Sequence, residues 1–273
     1  MRRDVVRHGA ALISPFSRKW LTPPDIRGPL VVLVHGFTAD GKYLKPLAEL
    51  CHAYKYSVAL FEYDSYEGLE RSSAALRELL TDLEPHILHG YSLVGHSMGG
   101  LVTKLLATER PSRLRALAML ATPNVASFKK PELLNAVIRV GETLGPLKPF
   151  GRSIACQAAK ELAGVDRSDV LRSLSEKQID VPVLSVSGGM AFVEFGSSAV
   201  GNAIANHIVQ YFLGVLPNDG LVPESSANAT AHVVGMVNHV NDYSEYPKTN
   251  HSGIFRNQEV ALRVVNWLKK HHI

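Results

Sequence analysis

The sequence predicts a doubly wound, mostly parallel α/β fold with about six core strands, and three observations support this prediction. Short apolar runs rich in β-branched residues alternate with stretches of helical spacing. The apolar runs are continuous rather than alternating, which is typical of strands covered by helices on both faces. The chain has 273 residues, 46% of them hydrophobic, which is enough for a single domain spanning residues 1–273.

Six apolar runs are predicted to form the strands, and helical segments separate them. The strand segments are Leu30 to Val34, Val58 to Phe61, Leu93 to Val94, Leu114 to Leu120, Val181 to Val186 and Val233 to Val237. The helical segments are Tyr43 to Tyr54, Gly68 to Leu83, Leu101 to Glu109 and Gln258 to Lys270. The first residues, Met1 to Arg27, contain no clear strand, which predicts a reduced sheet. A ligand site is expected at the carboxyl ends of the strands.

Two long stretches interrupt this alternation. Residues 125–180 contain helix-like pieces separated by glycine and proline, and residues 190–217 are apolar and rich in small residues. Insertions of this length in a compact domain are usually lids or binding elements. We therefore predict a helical cap at 125–180 and a second, apolar insertion at 190–217, although mere packing elements would fit the same composition.

Charge and composition exclude several classes of protein. The net charge is +4 and the basic residues are scattered, so nucleic-acid binding is not expected, whereas transient contact with an anionic membrane surface is compatible with this charge. The two cysteines, Cys51 and Cys156, do not resemble a disulfide framework. No secretory or membrane-spanning segment is evident, which predicts a cytoplasmic protein.

The most informative motif is Gly95-His96-Ser97-Met98-Gly99-Gly100. It follows an apolar run and precedes a helix-like segment, so the serine lies on a strand-to-helix turn. A serine flanked by glycines at −2 and +2 in this context is the nucleophile-elbow pattern. The glycines leave room for close backbone packing, and the helix N-terminus favours negative charge nearby. The motif predicts that Ser97 is a catalytic nucleophile.

A serine hydroxyl needs a base to take its proton and an acid to orient that base. With this elbow, the acid should follow the serine in the chain, and the histidine should follow the acid. Asp219 lies in a turn-forming stretch, and His251 lies in a loop ahead of the last helix. These two residues are the preferred candidates.

Other residues of the right type stay open at this point. Asp242 is the main rival acid, followed by Glu224, and the rival bases are His239 and His232.

Two backbone N–H groups should complete an oxyanion hole. One is that of Met98, directly after the nucleophile, and the other is that of Phe37, in the stretch His35-Gly36-Phe37 that follows the first predicted strand. His35 and His96 lie in the tight turns around this site and are interpreted as structural.

These motifs resemble those of the serine lipases and esterases of the α/β-hydrolase superfamily, and the overall pattern is closest to bacterial lipase-like proteins. These lipase-like proteins include ones that are similar to GPI inositol-deacylases and palmitoyl-protein thioesterases. The matching stretches are Val31 to Phe37, Gly95 to Val102, Ala121 to Asn124, Asn218 to Pro223 and Asn250 to Gly253.

The resemblance implies Ser97, His251 and Asp219 as a triad, oxyanion donors at Phe37 and Met98, and a cap over the site. It implies hydrolysis of a small-molecule or lipid carboxylic ester through an acyl-enzyme, without a cofactor or a metal. A thioesterase or other acyl hydrolase, or a catalytically silent binding protein with this fold, would share the pattern. An apolar acyl pocket is expected, lined partly by Phe192, Phe195, Ile204, Ile208 and Phe212, although residues that simply face the core would fit the same pattern equally well.

Overall fold

A computed structural model describes residues 6–7, 9–124, 157–162, 170–192, 218–227 and 242–272. Eight strands form one sheet within these residues. They are β1 Val6–Arg7, β2 Ala10–Ile13, β3 Leu30–Val34, β4 Ser57–Glu62, β5 Tyr91–His96, β6 Leu114–Leu120, β7 Val183–Gly188 and β8 Asp242–Tyr246. The spatial order is β1-β2-β4-β3-β5-β6-β7-β8.

Helices connect the strands. The α-helices are α1 Lys45–Ala53, α2 Leu69–Leu83, α3 Met98–Thr108, α4 Gln157–Leu162, α5 Val170–Glu176, α6 Glu224–Ala227 and α7 Gln258–His271. In the part of the chain that the structure describes, three short 3-10 helices lie at Pro23–Asp25, Gly41–Leu44 and Glu84–His86. The predicted α/β class, with strands and helices in alternation, is confirmed.

The direction of the strands determines where a site can form. Strands β3 to β8 pair in parallel, whereas β1 and β2 are antiparallel additions at one edge. The chain passes from β3 outward to β4 and then returns to β5 on the other side of β3. The carboxyl ends of β3 and β5 therefore flank a topological switch point, where open α/β sheets usually bind ligands.

Both faces of the sheet are buried, and β3 shows why its sequence is continuously apolar. Leu30, Val32 and Val34 belong to the core on one face, together with residues of α2 and α3. Val31 and Leu33 belong to the core on the other face, together with residues of α1 and α7. All five side chains are fully buried, as expected for a strand between two layers of helices.

Two sequence-based expectations about strands need correction, and a third stays a prediction. Met1 to Arg27 was expected to lack strands, but β1 and β2 lie there. The strand predicted at Val181 to Val186 is shifted and becomes β7. The last strand is β8, whereas the predicted Val233 to Val237 lies outside the described residues. Strand β8 is an edge strand among the described residues, and its polar residues lack the continuous apolar run of a buried strand.

Cys51 is a buried free thiol, and burial raises its pKa to about 12; Cys156 lies outside the described residues. No helix in the described ranges is long and apolar enough to cross a membrane.

Among the described residues, one lysine lies in the core. Lys104 on α3 is fully buried, and its Nζ donates a hydrogen bond of 2.9 Å to Oδ1 of Asn124. The Asn124 side chain in turn donates to the carbonyls of Thr122 and Ser226. Through Asn124, the lysine therefore links the segment that follows β6 with helix α6. Because the burial is not compensated by a carboxylate among the described residues, the pKa of Lys104 falls from 10.5 to about 8.

This lysine predicts a pH dependence of stability. Between pH 8 and 10.5 the unfolded chain still binds the Lys104 proton that the folded chain has lost, so the free energy of unfolding rises with pH in this window. The total gain should be about 3 kcal/mol. The variant Lys104→Met should lack this gain. Urea unfolding of both proteins at pH 7 and pH 10 checks the expectation, and equal pH dependence in the two would contradict it.

Candidate active site

Ser97 lies on the turn between β5 and α3 with a strained backbone. Its φ of 55° and ψ of −126° are in a region that L side chains rarely adopt. Its own N–H donates to the carbonyl of Leu120 at 2.8 Å, which fixes the turn to β6. Ser97 is half-buried whereas His96 and Met98 are buried, so the turn leaves this serine accessible at the edge of the sheet.

The flanking glycines are required by close packing. A Cβ atom at Gly95 would overlap backbone atoms of Gly99 and Gly100, and a Cβ atom at Gly99 would overlap the backbone of Val34 and His35. Backbone atoms cannot rotate away as a flexible side chain can. The spacing of glycine around Ser97 therefore follows from the contact of α3 with β5 and with the loop after β3.

Asp219 and His251 form a buried hydrogen-bonded pair. The Nδ1 atom of His251 lies 2.9 Å from Oδ2 of Asp219, and the two residues are 5% and 1% exposed. The other carboxylate oxygen of Asp219 accepts the N–H groups of Leu221 and Val222 at 3.1 and 2.8 Å. In addition, the His251 N–H donates to the Asp219 carbonyl at 2.8 Å. The two loops are thus joined through both backbone and side chains.

The His251 loop also contacts the nucleophile turn. Nε2 of His96 lies 3.0 Å from the His251 carbonyl, and the centroids of the two imidazole rings are 4.8 Å apart. Because Asp219 occupies Nδ1 of His251, Nε2 is the nitrogen left for proton transfer. No hydrogen bond joins the Ser97 hydroxyl to His251 among the described residues; in unliganded sites such bonds are often long and tighten when substrate binds.

The loop after β3 approaches Ser97 closely. A Cβ atom at Gly36 would lie 3.0 Å from Cβ of Ser97. The Gly36 carbonyl lies 2.9 Å from Nδ1 of His35, which can donate to it. That carbonyl belongs to the same planar peptide as the Phe37 N–H, and the two groups point in opposite directions. Fixing the carbonyl therefore fixes the direction of the Phe37 N–H.

The second expected donor is the N–H of Met98, the first residue of α3. The first N–H groups of a helix have no partner inside the helix. They also carry the positive end of the helix dipole. Both expected donors therefore belong to backbone that borders Ser97.

The sequence profile of the alpha/beta hydrolase family matches residues 31–263. The chain belongs to the alpha/beta hydrolase family. A comparison with curated proteins found no match. Members of this family combine a parallel sheet of the kind described here with a site at the carboxyl ends of its strands, as open α/β sheets do.

Several solved structures share the hydrolase fold. The monoacylglycerol lipase of Paleococcus ferrophilus is 18% identical with a TM-score of 0.62, and the alignment covers 97% of this chain and 98% of that one. A thermophilic esterase from Thermogutta terrifontis is 20% identical with a TM-score of 0.60, covering 91% and 92%. The lipase BlEst2 of Bacillus licheniformis is 15% identical with a TM-score of 0.61, covering 88% and 95%.

Ser97, Asp219 and His251, the candidates preferred from the sequence, lie on loops that contact one another. Of the rivals, the structure describes the two acids. Asp242 begins β8 and contacts Arg263 of α7 instead of a histidine. Glu224 begins α6. The rival bases, His232 and His239, lie outside the described residues.

The acyl pocket stays a prediction. Phe192 is 38% exposed, and its N–H donates to the Met190 carbonyl at 2.7 Å. The other four expected pocket residues lie outside the described part of the chain, namely Phe195, Ile204, Ile208 and Phe212. The described part of the hydrolase contains no group of three or more side chains able to hold a metal ion.

Sequence reasoning treated His35 and His96 as structural and did not consider Tyr43, yet all three contact the site. Burial lowers the pKa of His35. Burial, with a smaller effect of His251, lowers the pKa of His96 well below its usual value. Both rings are therefore neutral near pH 7. The sequence could have indicated a role for the two histidines, because they directly precede Gly36 and Ser97. It gave no such indication for Tyr43, because the contacts of Tyr43 are with residues distant in the sequence.

The packing at Gly95 predicts a large loss of stability on substitution. Gly95→Ala should destabilise the protein by about 3 kcal/mol, because the added Cβ meets backbone atoms that must shift. Gly28→Ala is the control, since an added Cβ there would meet only the Lys55 carbonyl oxygen, at 3.1 Å, and should cost about 1 kcal/mol or less. Urea unfolding of both variants measures the difference. Equal losses would contradict this account of the motif.

Proposed function

We propose that this hydrolase cleaves carboxylic esters through a covalent acyl-enzyme, with Ser97 as nucleophile, His251 as base and Asp219 as the acid that orients it. The observation that carries the proposal is the buried Asp219–His251 pair, held beside the strained and accessible turn of Ser97. This is the combination of nucleophile, base and orienting group that activates a serine hydroxyl.

The proposed reaction has two halves. Nε2 of His251 takes the Ser97 proton while Oγ attacks the ester carbonyl, and the resulting oxyanion accepts hydrogen bonds from the N–H groups of Phe37 and Met98. His251 then gives the proton to the leaving alcohol, and the acyl-serine ester remains. A water molecule, deprotonated by His251, attacks this ester and releases the carboxylic acid and the free serine.

Asp219 has the structural features that the orienting role needs. Its two backbone donors and its bond to His251 satisfy the carboxylate, and no lysine or arginine of the described ranges forms an ion pair with it. The negative charge is therefore directed at the imidazole, where it stabilises the positive charge that appears during each proton transfer. Solved neighbours that are named as lipases and esterases agree with ester substrates of small-molecule or lipid type.

The nucleophile is tested by Ser97→Ala. We expect this variant to fold normally and to lose turnover of p-nitrophenyl esters by at least about 10³-fold, because no covalent intermediate can form. A fluorophosphonate probe should label the wild-type protein at Ser97 and should not label the variant. Retained ester turnover, or no adduct at Ser97 in the folded wild type, would refute the proposal and favour a silent binding protein. Parallel thioester substrates would separate an esterase from a thioesterase.

The acid is tested by Asp219→Asn, which keeps the shape but removes the charge and permits the wrong histidine tautomer. The kcat should fall by about 10³- to 10⁴-fold. Asp242→Asn is the matched control, since Asp242 contacts Arg263 at the far edge of the sheet, and should leave kcat unchanged. If Asp242→Asn is the more damaging of the two, the assignment of the acid is wrong.

A further inference from the structure

We infer that the hydroxyl of Tyr43 is a positioning group that couples the oxyanion loop to the His251 loop through His96. This inference rests on the proposed function, because it concerns the same site. Tyr43 lies in the 3-10 helix Gly41–Leu44 that follows the oxyanion loop. Its hydroxyl contacts two different loops at once.

The contacts form a continuous hydrogen-bonded chain. The Gly36 N–H donates to Oη of Tyr43 at 2.7 Å. The same oxygen lies 3.0 Å from Nδ1 of His96, and Nε2 of His96 lies 3.0 Å from the His251 carbonyl. The Tyr43 ring also packs against Phe255, with centroids 4.3 Å apart, which holds the phenol in place.

The direction of each hydrogen bond follows from counting protons. An amide nitrogen can only donate, so Oη of Tyr43 accepts from Gly36 and has its own proton left for another partner. A carbonyl can only accept, so Nε2 of His96 must carry a proton to bond His251. A neutral imidazole then has a bare Nδ1, which accepts the Tyr43 proton. The hydrogen bond to Tyr43 and the hydrogen bond to the His251 carbonyl therefore require the same tautomer of His96.

Burial keeps both groups in the required state. It raises the pKa of Tyr43 above its usual value, so the phenol keeps its proton. It lowers the pKa of His96 well below its usual value, so the ring remains neutral. The chain of donors and acceptors is therefore fixed over the pH range in which the protein would be assayed.

The hydrogen-bonded chain ends at two segments that must be held in position for the proposed catalysis. Gly36 precedes the expected oxyanion donor Phe37, and His251 is the proposed base. The linked residues are 7, 53 and 155 positions apart in the sequence, so the chain joins three loops that the backbone does not connect directly. A displacement of 1 Å at such groups can cost about 10²-fold in rate.

A purely structural role would be distinguishable from positioning. If Tyr43 only fills space, its loss lowers stability but leaves the turnover of the folded fraction unchanged. If it positions Phe37 and His251, turnover per folded molecule falls while substrate affinity changes little. The kcat and KM of active-site-titrated protein therefore separate the two roles.

The test is Tyr43→Phe, which removes only the hydroxyl. We expect kcat for an activated ester to fall about tenfold or more, with KM within about twofold. Tyr91→Phe is the matched control, because Tyr91 is a buried tyrosine at the opposite end of β5, and it should keep the wild-type kcat. Imidazole ¹⁵N spectra should show His96 as the Nε2–H tautomer in the wild type. In Tyr43→Phe the Nδ1 resonance should shift, because that nitrogen loses its hydrogen-bond donor while Nε2 keeps the proton that it donates to the His251 carbonyl.

A second pair of variants decides the matter even if Tyr43→Phe folds poorly. Glutamine at position 96 can place an N–H near the position of Nε2 and donate to the His251 carbonyl, whereas the shorter asparagine cannot. His96→Gln should therefore retain several-fold more kcat than His96→Asn. Wild-type kcat in folded Tyr43→Phe, or equal kcat in the two position-96 variants, would overturn the coupling. If Ser97→Ala is inactive while Tyr43→Phe is fully active, only the coupling fails; if Ser97→Ala is active, the proposed function fails.

Discussion

The hydrogen bond between Asp219 and His251 is the interaction on which the organisation of the site depends. Both side chains are almost completely buried, and a buried carboxylate is unfavourable unless its oxygens are satisfied. Here both oxygens accept hydrogen bonds, one from the N–H groups of Leu221 and Val222 and the other from His251. Removing the histidine would leave a buried charge without its partner, so the fold constrains the two loops to stay together.

The sheet provides the second constraint. Val34 of β3 pairs with Gly95 of β5, so the loop after β3 and the turn at Ser97 leave the sheet side by side. That neighbourhood brings Gly36 close to Ser97 and gives Gly99 no room for a side chain. A backbone strain of about 1 to 3 kcal/mol at Ser97 persists because the surrounding strands and α3 determine the turn.

How much the sequence can predict depends on how local the cause is. Ser97 and its glycines were predictable because the motif consists of six consecutive residues, even though Gly99 also packs against Val34 and His35. The rule of chain order left both Asp219 and Asp242 as candidate acids, and only the folded structure shows that Asp219 is the one bonded to His251. Tyr43 was not predictable, because its role arises from contacts with Gly36 and His96 that exist only after folding. Strand β8 was missed for a related reason: its polar residues suit an exposed edge rather than a buried run.

In the proposed mechanism, the two neighbouring histidines His251 and His96 have different electrostatic surroundings. His251 faces Asp219, so a positive charge there is compensated. The His96 ring is 4.8 Å from that of His251, and a second cation at this distance would oppose the first by about 3 kcal/mol in a medium of intermediate dielectric. Because burial and the Tyr43 hydroxyl keep His96 neutral, the imidazole of His251 can become cationic alone. The tyrosine therefore contributes electrostatically as well as geometrically, by occupying the only nitrogen of His96 at which an additional proton could bind.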